Sequence, residues 1–106
     1  MTDRLVRLLG LGVRAGGVVI GVAGVRARLQ RNALACVVLA ADASPRTRDK
    51  VERLARARGV PVLVGPAADR LGAGLGGGRG RGRSSVQAVG VADAALARGL
   101  VGSLEE

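Results

Sequence analysis

The sequence predicts an α/β protein in which a four-stranded, largely parallel or mixed sheet is covered by helices on both faces. Apolar residues at helical spacing alternate along the chain with short apolar runs rich in β-branched residues. Strands separated by helices need crossover connections, which place helices on both faces of a sheet. The 106 residues are enough for one domain, so we expect a single domain over 1–106.

The first half of the chain predicts two helices and two strands. A helix begins after Thr2, a favourable N-cap, and ends at the glycines of 15–17. A short strand follows at 18–20, and a second helix begins at Gly21 with its arginines on the outward face. The run ACVVLAA at 35–41 is continuously apolar, which is typical of a strand buried on both faces.

The second half begins with a clear helix start. Ser44 is a favourable N-cap, Pro45 fits the first helical position, and Gly59 is the expected stop. The other elements are a strand at 60–64, a short helix from Pro66 through Leu71, a strand at 86–92 and a helix from about Asp93 to Leu100. The low-complexity stretch LGGGRGRGRSS lies between the fourth helix and the last strand. We therefore expect a basic Gly-Arg loop at 76–85 inside the domain rather than a linker.

The charge balance indicates a polyanionic partner. Lys and Arg number 17 against 8 Asp and Glu, a net charge of +9, and Lys50 is the only lysine. Arginine matches phosphate with a planar fork of donors, which favours RNA or DNA. A high-GC genome would also favour arginine over lysine, but it would not explain the net charge. The absence of Phe, Tyr and Trp argues against domains that stack bases on aromatic side chains.

Residues that would support catalysis or metal binding are scarce. There is no His, and the single Cys36 lies in an apolar run, so neither a zinc site nor a nucleophile–histidine pair is expected. The glycine patterns at 10–15 and 72–77 follow predicted helices, whereas a dinucleotide site needs a preceding strand. Asp42 has no partner in sequence, and we interpret it as a turn residue that bonds nearby backbone.

We therefore expect no enzymatic activity, no metal, no cofactor and no small-molecule substrate. No apolar stretch is long enough to span a membrane, and MTDRLVRLLG lacks a continuous apolar signal core. These features predict a cytoplasmic protein without a membrane partner.

Several segments in order resemble the L-seven-Ae/L-thirty-e ribosomal protein superfamily, most closely its small bacterial members of the YlxQ type. The segments are RAGGVVIGVAGVRARLQRNALACVVLAADASP at 14–45, GVPVLV at 59–64, DRLGAGLG at 69–76 and SSVQAVGVAD at 84–93. The resemblance implies a three-layer α-β-α sandwich that binds RNA, typically kink-turns, in ribosomes or other ribonucleoproteins.

The resemblance also implies where RNA contacts lie. Kink-turn binders carry Gly-x-Asn-Glu-x-x-Lys at the start of the second helix. Gly21 keeps the glycine here, but Ala23, Gly24 and Ala27 replace the Asn, Glu and Lys. The loop before the last strand is another RNA contact region in the family, and here it is lengthened and basic.

We therefore predict a ribosome-associated RNA-binding protein that contacts kink-turn-like RNA mainly through arginine and phosphate, with ribosomal proteins as further candidate partners. The predicted RNA-binding residues are Arg14, Gly21, Arg26, Arg28, Arg46, Arg79, Arg81, Arg83, Ser84 and Ser85. Two alternatives remain open. One is a protein–protein interaction module on the same fold that has lost specific RNA binding. The other is a merely solvated set of charges, with the Gly-Arg run as an insertion.

Overall fold

The computed structural model describes residues 7–12, 16–75 and 86–105, and its helices and strands follow the predicted order. The strands are β1 (Val18–Ile20), β2 (Cys36–Leu39), β3 (Val62–Val64) and β4 (Ala88–Val91). The helices are α1 (7–12), α2 (Val22–Gln30), α3 (Pro45–Ala57), α4 (Ala68–Leu75) and α5 (Ala94–Glu105). The predicted N-cap Thr2 and the predicted loop at 76–85 lie outside the described residues.

The four strands form one mixed sheet, as predicted, and their order in the sheet is β1-β4-β2-β3. β4 runs antiparallel to both of its neighbours, whereas β2 and β3 are parallel. Val37 is aligned with Gly90 of β4 on one side and with Val62 of β3 on the other. Every residue of β2 and β4 is buried, which confirms that the two continuous apolar runs are central strands.

The sheet is covered on both faces, which gives the three layers that the sequence predicts. On one face, α1, α4 and α5 pack against β2 and β4 through Leu9, Leu71, Ala97 and Leu100. On the other face, α2 and α3 pack against the same two strands through Val25, Leu29, Val51 and Ala55. The described core is aliphatic throughout, and each buried Leu or Val contributes about 1.5–3 kcal/mol relative to exposure.

Two strands begin later than predicted because backbone hydrogen bonds to helix residues occupy the first residues of the predicted strands. The Val60 N–H donates to the Ala55 carbonyl at 2.8 Å, so Val60 closes the end of α3 and β3 starts at Val62. The Val86 N–H donates to the Ala68 carbonyl at 2.9 Å, so Val86 belongs to a loop and β4 starts at Ala88. Strand propensity alone does not reveal these bonds to helix residues.

Asp42 sets the start of α4 and corrects the sequence interpretation of this residue. Its Oδ1 atom accepts a hydrogen bond from the Ala68 N–H at 2.7 Å, across 26 residues of chain. Asp42 therefore bonds a helix terminus rather than nearby backbone. Since this carboxylate meets the N–H of Ala68, the helix begins there and not at Pro66 as predicted.

Candidate nucleic-acid interface

One edge of the sheet gathers the starts of three helices. The strand registers place Ile20, Leu39 and Val64, the last residues of β1, β2 and β3, level with Val89 and Ala88 at the start of β4. We call this the upper edge. Because α2, α3 and α4 each follow one of these three strands, all three helices begin at the upper edge.

Gly21 connects β1 to α2 and fixes the first turn of the helix. Its φ of 101° and ψ of 151° lie in a region that only glycine adopts readily. The Gly21 N–H donates to the Ala88 carbonyl at 2.9 Å, and the Gly21 carbonyl accepts from the Val25 N–H at 3.0 Å. The N-cap has no side chain, and the first turn of α2 contains no acidic residue. The partial positive charge of this helix end is therefore not neutralised within its first turn.

The start of α3 is capped but is also basic. Ser44 Oγ accepts a hydrogen bond from the Thr47 N–H at 3.2 Å, and Pro45 occupies the first turn as predicted. The exposed Arg46 comes next, where a negative charge would stabilise the helix. Arg48 Nη2 donates to the Ala41 carbonyl at 3.2 Å, so this second arginine braces the loop after β2.

The starts of α4 and α5 carry carboxylates instead. Asp42 caps α4 at the upper edge, and Asp69 lies in its first turn. Asp93 caps α5 at the opposite edge, where its Oδ1 accepts from the Leu96 N–H at 3.0 Å. An anion at the upper edge is therefore attracted to the starts of α2 and α3 and repelled from the start of α4.

The other predicted site residues lie either on α2 or outside the described part of the chain. Arg26 and Arg28 are exposed on α2, as the outward face predicts. Arg26 lies about 6 Å along the helix from its first residue, whereas Arg28 lies in the last turn, about 9 Å along, toward the opposite edge. The remaining predicted residues, Arg14, Arg79, Arg81, Arg83, Ser84 and Ser85, lie outside the described part of the chain.

Residues 86–88, where the described chain resumes, are held to other elements by backbone hydrogen bonds. Val86 is bonded to Ala68, and the Gln87 carbonyl accepts from the Ala40 N–H at 2.9 Å. Ala88, three residues after Ser85, is bonded to Gly21. The described chain therefore resumes at the upper edge, where Val86 lies beside the start of α4 and Ala88 beside the start of α2.

Gln87 adds a feature that the sequence reasoning missed. Its buried Oε1 atom accepts no hydrogen bond from the residues that the structure describes. A buried acceptor without a hydrogen bond lowers the free energy of unfolding, so its presence needs a structural or functional reason. The signal was present in VQAVGVA, where a single amide interrupts a run of apolar residues before a central strand.

The α2 positions of the kink-turn motif differ in the space around them. Ala23 and Ala27 are exposed, so side chains there would reach solvent. Gly24 faces the sheet, and a Cβ added to it would lie 2.8 Å from Val19 Cγ2. The described start of α2 therefore offers backbone N–H groups, but no polar side chain at these three positions.

Cys36, the one cysteine of the chain, is buried. Burial raises the pKa of the Cys36 thiol to about 11, so the thiol is protonated at neutral pH and is a poor nucleophile. In residues 7–12, 16–75 and 86–105, no three metal-binding side chains of His, Cys, Asp or Glu come together. No helix within these ranges is long and apolar enough to cross a membrane.

Comparisons with known proteins agree with this architecture. A protein of unknown function from Bacillus halodurans C has a TM-score of 0.86 and 27% identity, over 97% of this chain and 98% of that one. A Giardia lamblia 15.5kD RNA binding protein has a TM-score of 0.72 and 18% identity, over 98% of this chain and 87% of that one. No curated protein matches the chain.

The family comparison covers most of the fold. Residues 3–96 match the model of the family described as Ribosomal protein L7Ae/L30e/S12e/Gadd45, which confirms the resemblance inferred from the sequence. The matched range includes all four strands and the first four helices. The chain therefore belongs to the ribosomal protein L7Ae/L30e/S12e/Gadd45 family.

Proposed function

We propose that this protein is a non-enzymatic RNA-binding protein that acts on the ribosome in the cytoplasm, with ribosomal proteins as neighbours. It binds bent, kink-turn-like RNA at the upper edge, mainly through contacts between arginine and phosphate. The proposed contacts are Arg14, Gly21, Arg26, Arg28, Arg46, Arg79, Arg81, Arg83, Ser84 and Ser85. The whole chain acts as one RNA-binding domain.

The observation that carries this proposal is the hydrogen bond from Gly21 to Ala88. It holds the uncapped start of α2 beside β4, the strand that follows the segment with Arg79, Arg81 and Arg83 in the sequence. Backbone N–H groups at a helix start and arginine side chains are both ligands for phosphate. Membership of a ribosomal protein family supports RNA as the source of that phosphate, as does a structurally similar chain described as an RNA binding protein.

The same geometry limits how specific the binding is. Ala23, Gly24 and Ala27 offer no hydrogen bond to a base edge, so the affinity rests on phosphate contacts. Such contacts position a protein on nucleic acid without reading its sequence, and they weaken as salt concentration rises. We therefore expect only a modest preference for a kink-turn over an unstructured RNA of equal length, and strong salt dependence for both.

The test compares two triple variants with the same loss of charge. Arg79→Ala/Arg81→Ala/Arg83→Ala removes the proposed phosphate contacts, and Arg56→Ala/Arg58→Ala/Arg98→Ala removes three charges away from the upper edge. Affinity for kink-turn and unstructured RNA is measured over a range of salt concentrations. We expect the first variant to lower the slope of log affinity against log salt by about 2–3, at roughly 0.7–0.9 per phosphate contact. The control should stay near the wild-type slope, and equal losses in both variants would contradict the proposal.

A protein–protein interaction module is the second candidate function. It is favoured by the exposed Ala23 and Ala27, which leave a small, uncharged surface on α2 where the family motif has polar side chains. This alternative predicts that the wild-type protein binds neither RNA, even at low salt. Binding of either RNA that disappears in the Arg79, Arg81 and Arg83 variant would exclude it.

A further inference from the structure

A basic groove runs between α2 and α3 on the outer face of the molecule. β1 and β2 point in the same direction, and the helix after each returns over the same face of the sheet, so α2 and α3 run side by side from the upper edge. The groove between them has a volume of about 350 Å³. It is lined by Arg26, Gln30, Asp49, Lys50, Arg53, Leu54 and Ala57.

Positive charge lies on both walls of this groove. Arg26 belongs to α2, and Lys50 and Arg53 belong to α3. Asp49 is the only lining carboxylate, and its Oδ1 accepts from Arg53 Nε at 3.1 Å. The side chain of Arg53 is 80% exposed and that of Asp49 is 57% exposed. Exposed ion pairs of this kind contribute less than about 1 kcal/mol to the free energy of unfolding. Arg53 is therefore readily available to another anion.

We propose that this groove binds the phosphate backbone of a double-helical RNA stem that extends from the element held at the upper edge. This inference rests on the proposed function and extends its footprint to Lys50 and Arg53. The groove starts about 6 Å along α2 from the upper edge, at Arg26, which is also one of the proposed contacts of the upper edge. A double-helical stem carries the charge of two phosphate strands along one axis, so cations on two walls gain most from a stem.

The groove fits a protein partner less well. Its apolar lining consists only of Leu54 and Ala57, whereas protein interfaces depend on buried apolar anchors in well-packed pockets. The cations instead lie at positions spaced by about one helical turn along α3, since Lys50 and Arg53 are three residues apart. An extended polyanion can contact these side chains in succession.

The test uses a kink-turn RNA with both stems trimmed to the shortest length that still pairs, and the same RNA with both stems extended. The groove variant is Lys50→Ala/Arg53→Ala. The control, Arg56→Ala/Arg98→Ala, loses the same charge, but Arg56 faces the β3 side of α3 and Arg98 lies on α5. All four substituted residues are exposed, and thermal unfolding verifies that each variant is folded.

We expect the wild-type protein to bind the extended RNA more tightly than the trimmed RNA. The groove variant should lose on the order of tenfold in affinity for the extended RNA, with a salt slope lower by about 2, and should bind the trimmed RNA as the wild-type does. The control should keep the advantage of the extended RNA. Lys50→Arg retains the charge, so this variant should also bind the extended RNA more tightly than the trimmed RNA.

Three results would overturn the inference while leaving the proposed function intact. In the first, the extended stems add no affinity. In the second, the groove and control variants lose equal affinity for the extended RNA. In the third, the groove variant binds both RNAs normally but fails to bind a polyglutamate peptide that the wild-type binds. The last result would assign the groove to an acidic protein partner. Absence of wild-type binding to either RNA would overturn the proposed function and this inference together.

Discussion

At the scale of single residues, Gly21 links the backbone geometry of the fold to the proposed site. With a φ of 101°, Gly21 donates its own N–H to the Ala88 carbonyl. The next three N–H groups, at the start of α2, have no partner within the helix. A Cβ on Gly21 would meet no atom within 4 Å. The requirement for glycine here therefore comes from the backbone conformation and not from lack of space.

Replacing Gly21 with alanine tests this reason directly. We expect Gly21→Ala to lower the free energy of unfolding by about 1–3 kcal/mol, because alanine is strained in this conformation. Gly102→Ala is the matched control, since Gly102 is exposed in α5 and its added Cβ would also meet no atom within 4 Å. The control should gain up to about 1 kcal/mol from helix propensity. Denaturant unfolding measures the stability of both variants. Equal stability of the two would show that alanine is not strained at position 21.

At the scale of elements, two glycines allow α2 to approach the sheet closely. Val19 of β1 lies between them. A Cβ on Gly24 would come within 2.8 Å of Val19 Cγ2, and a Cβ on Gly90 within 2.9 Å of Val19 Cγ1. A larger residue at position 24 therefore has to displace Val19 or lift the helix. The position that carries Glu in the family motif is a packing position in this chain.

The side chains of the family motif should consequently be tolerated at positions 23 and 27, whereas Glu at position 24 should destabilise the protein. Ala23→Asn/Ala27→Lys places side chains at exposed positions, so we expect a stronger preference for kink-turn RNA with a stability change under about 1 kcal/mol. Gly24→Glu should instead destabilise the protein by about 1–3 kcal/mol through overpacking, and adding Val19→Ala should recover part of that loss. RNA titration and denaturant unfolding measure these effects. A Gly24→Glu protein as stable as the wild-type would disprove the packing role.

At the scale of the whole molecule, the net charge and the composition of the core both bear on stability. The described core contains no aromatic residue, and the net charge of +9 opposes compaction through mutual repulsion. Carboxylates cap α4 and α5, whereas the starts of α2 and α3 remain positive. A bound polyanion therefore relieves repulsion on the same side of the molecule where it makes its contacts.

RNA should accordingly stabilise the protein against heat. At 100 times the Kd, binding to the folded state adds about 2.7 kcal/mol to the free energy of unfolding. For a domain of this size, this should raise Tm by roughly 10 °C or more. Thermal unfolding with kink-turn RNA at low and high salt measures the effect. The Arg79→Ala/Arg81→Ala/Arg83→Ala variant is the control, and an equal rise in that variant would argue against its arginines as contacts.

The type and order of the elements could be predicted from the sequence because their signals are local. The cap formed by Ser44, the stop at Gly59 and the apolar runs of β2 and β4 depend on residues within one element. The family resemblance was also visible in ordered segments, and the family comparison confirms it. Gly21, Arg26 and Arg46 could be proposed because they occupy helix starts or outward faces.

The tertiary structure alone decided how these elements meet. It placed β4 antiparallel between β1 and β2, joined Asp42 to Ala68, set Val19 between two glycines and left Gln87 Oε1 without a partner among the described residues. The strand pairing and the bond between Asp42 and Ala68 join segments far apart in sequence. Their free energies depend on distances between elements, whereas propensity and periodicity report only on neighbours along the chain. The sequence by itself thus determined which helices and strands form and that the protein is basic, and three-dimensional packing decided which helix starts face the same edge.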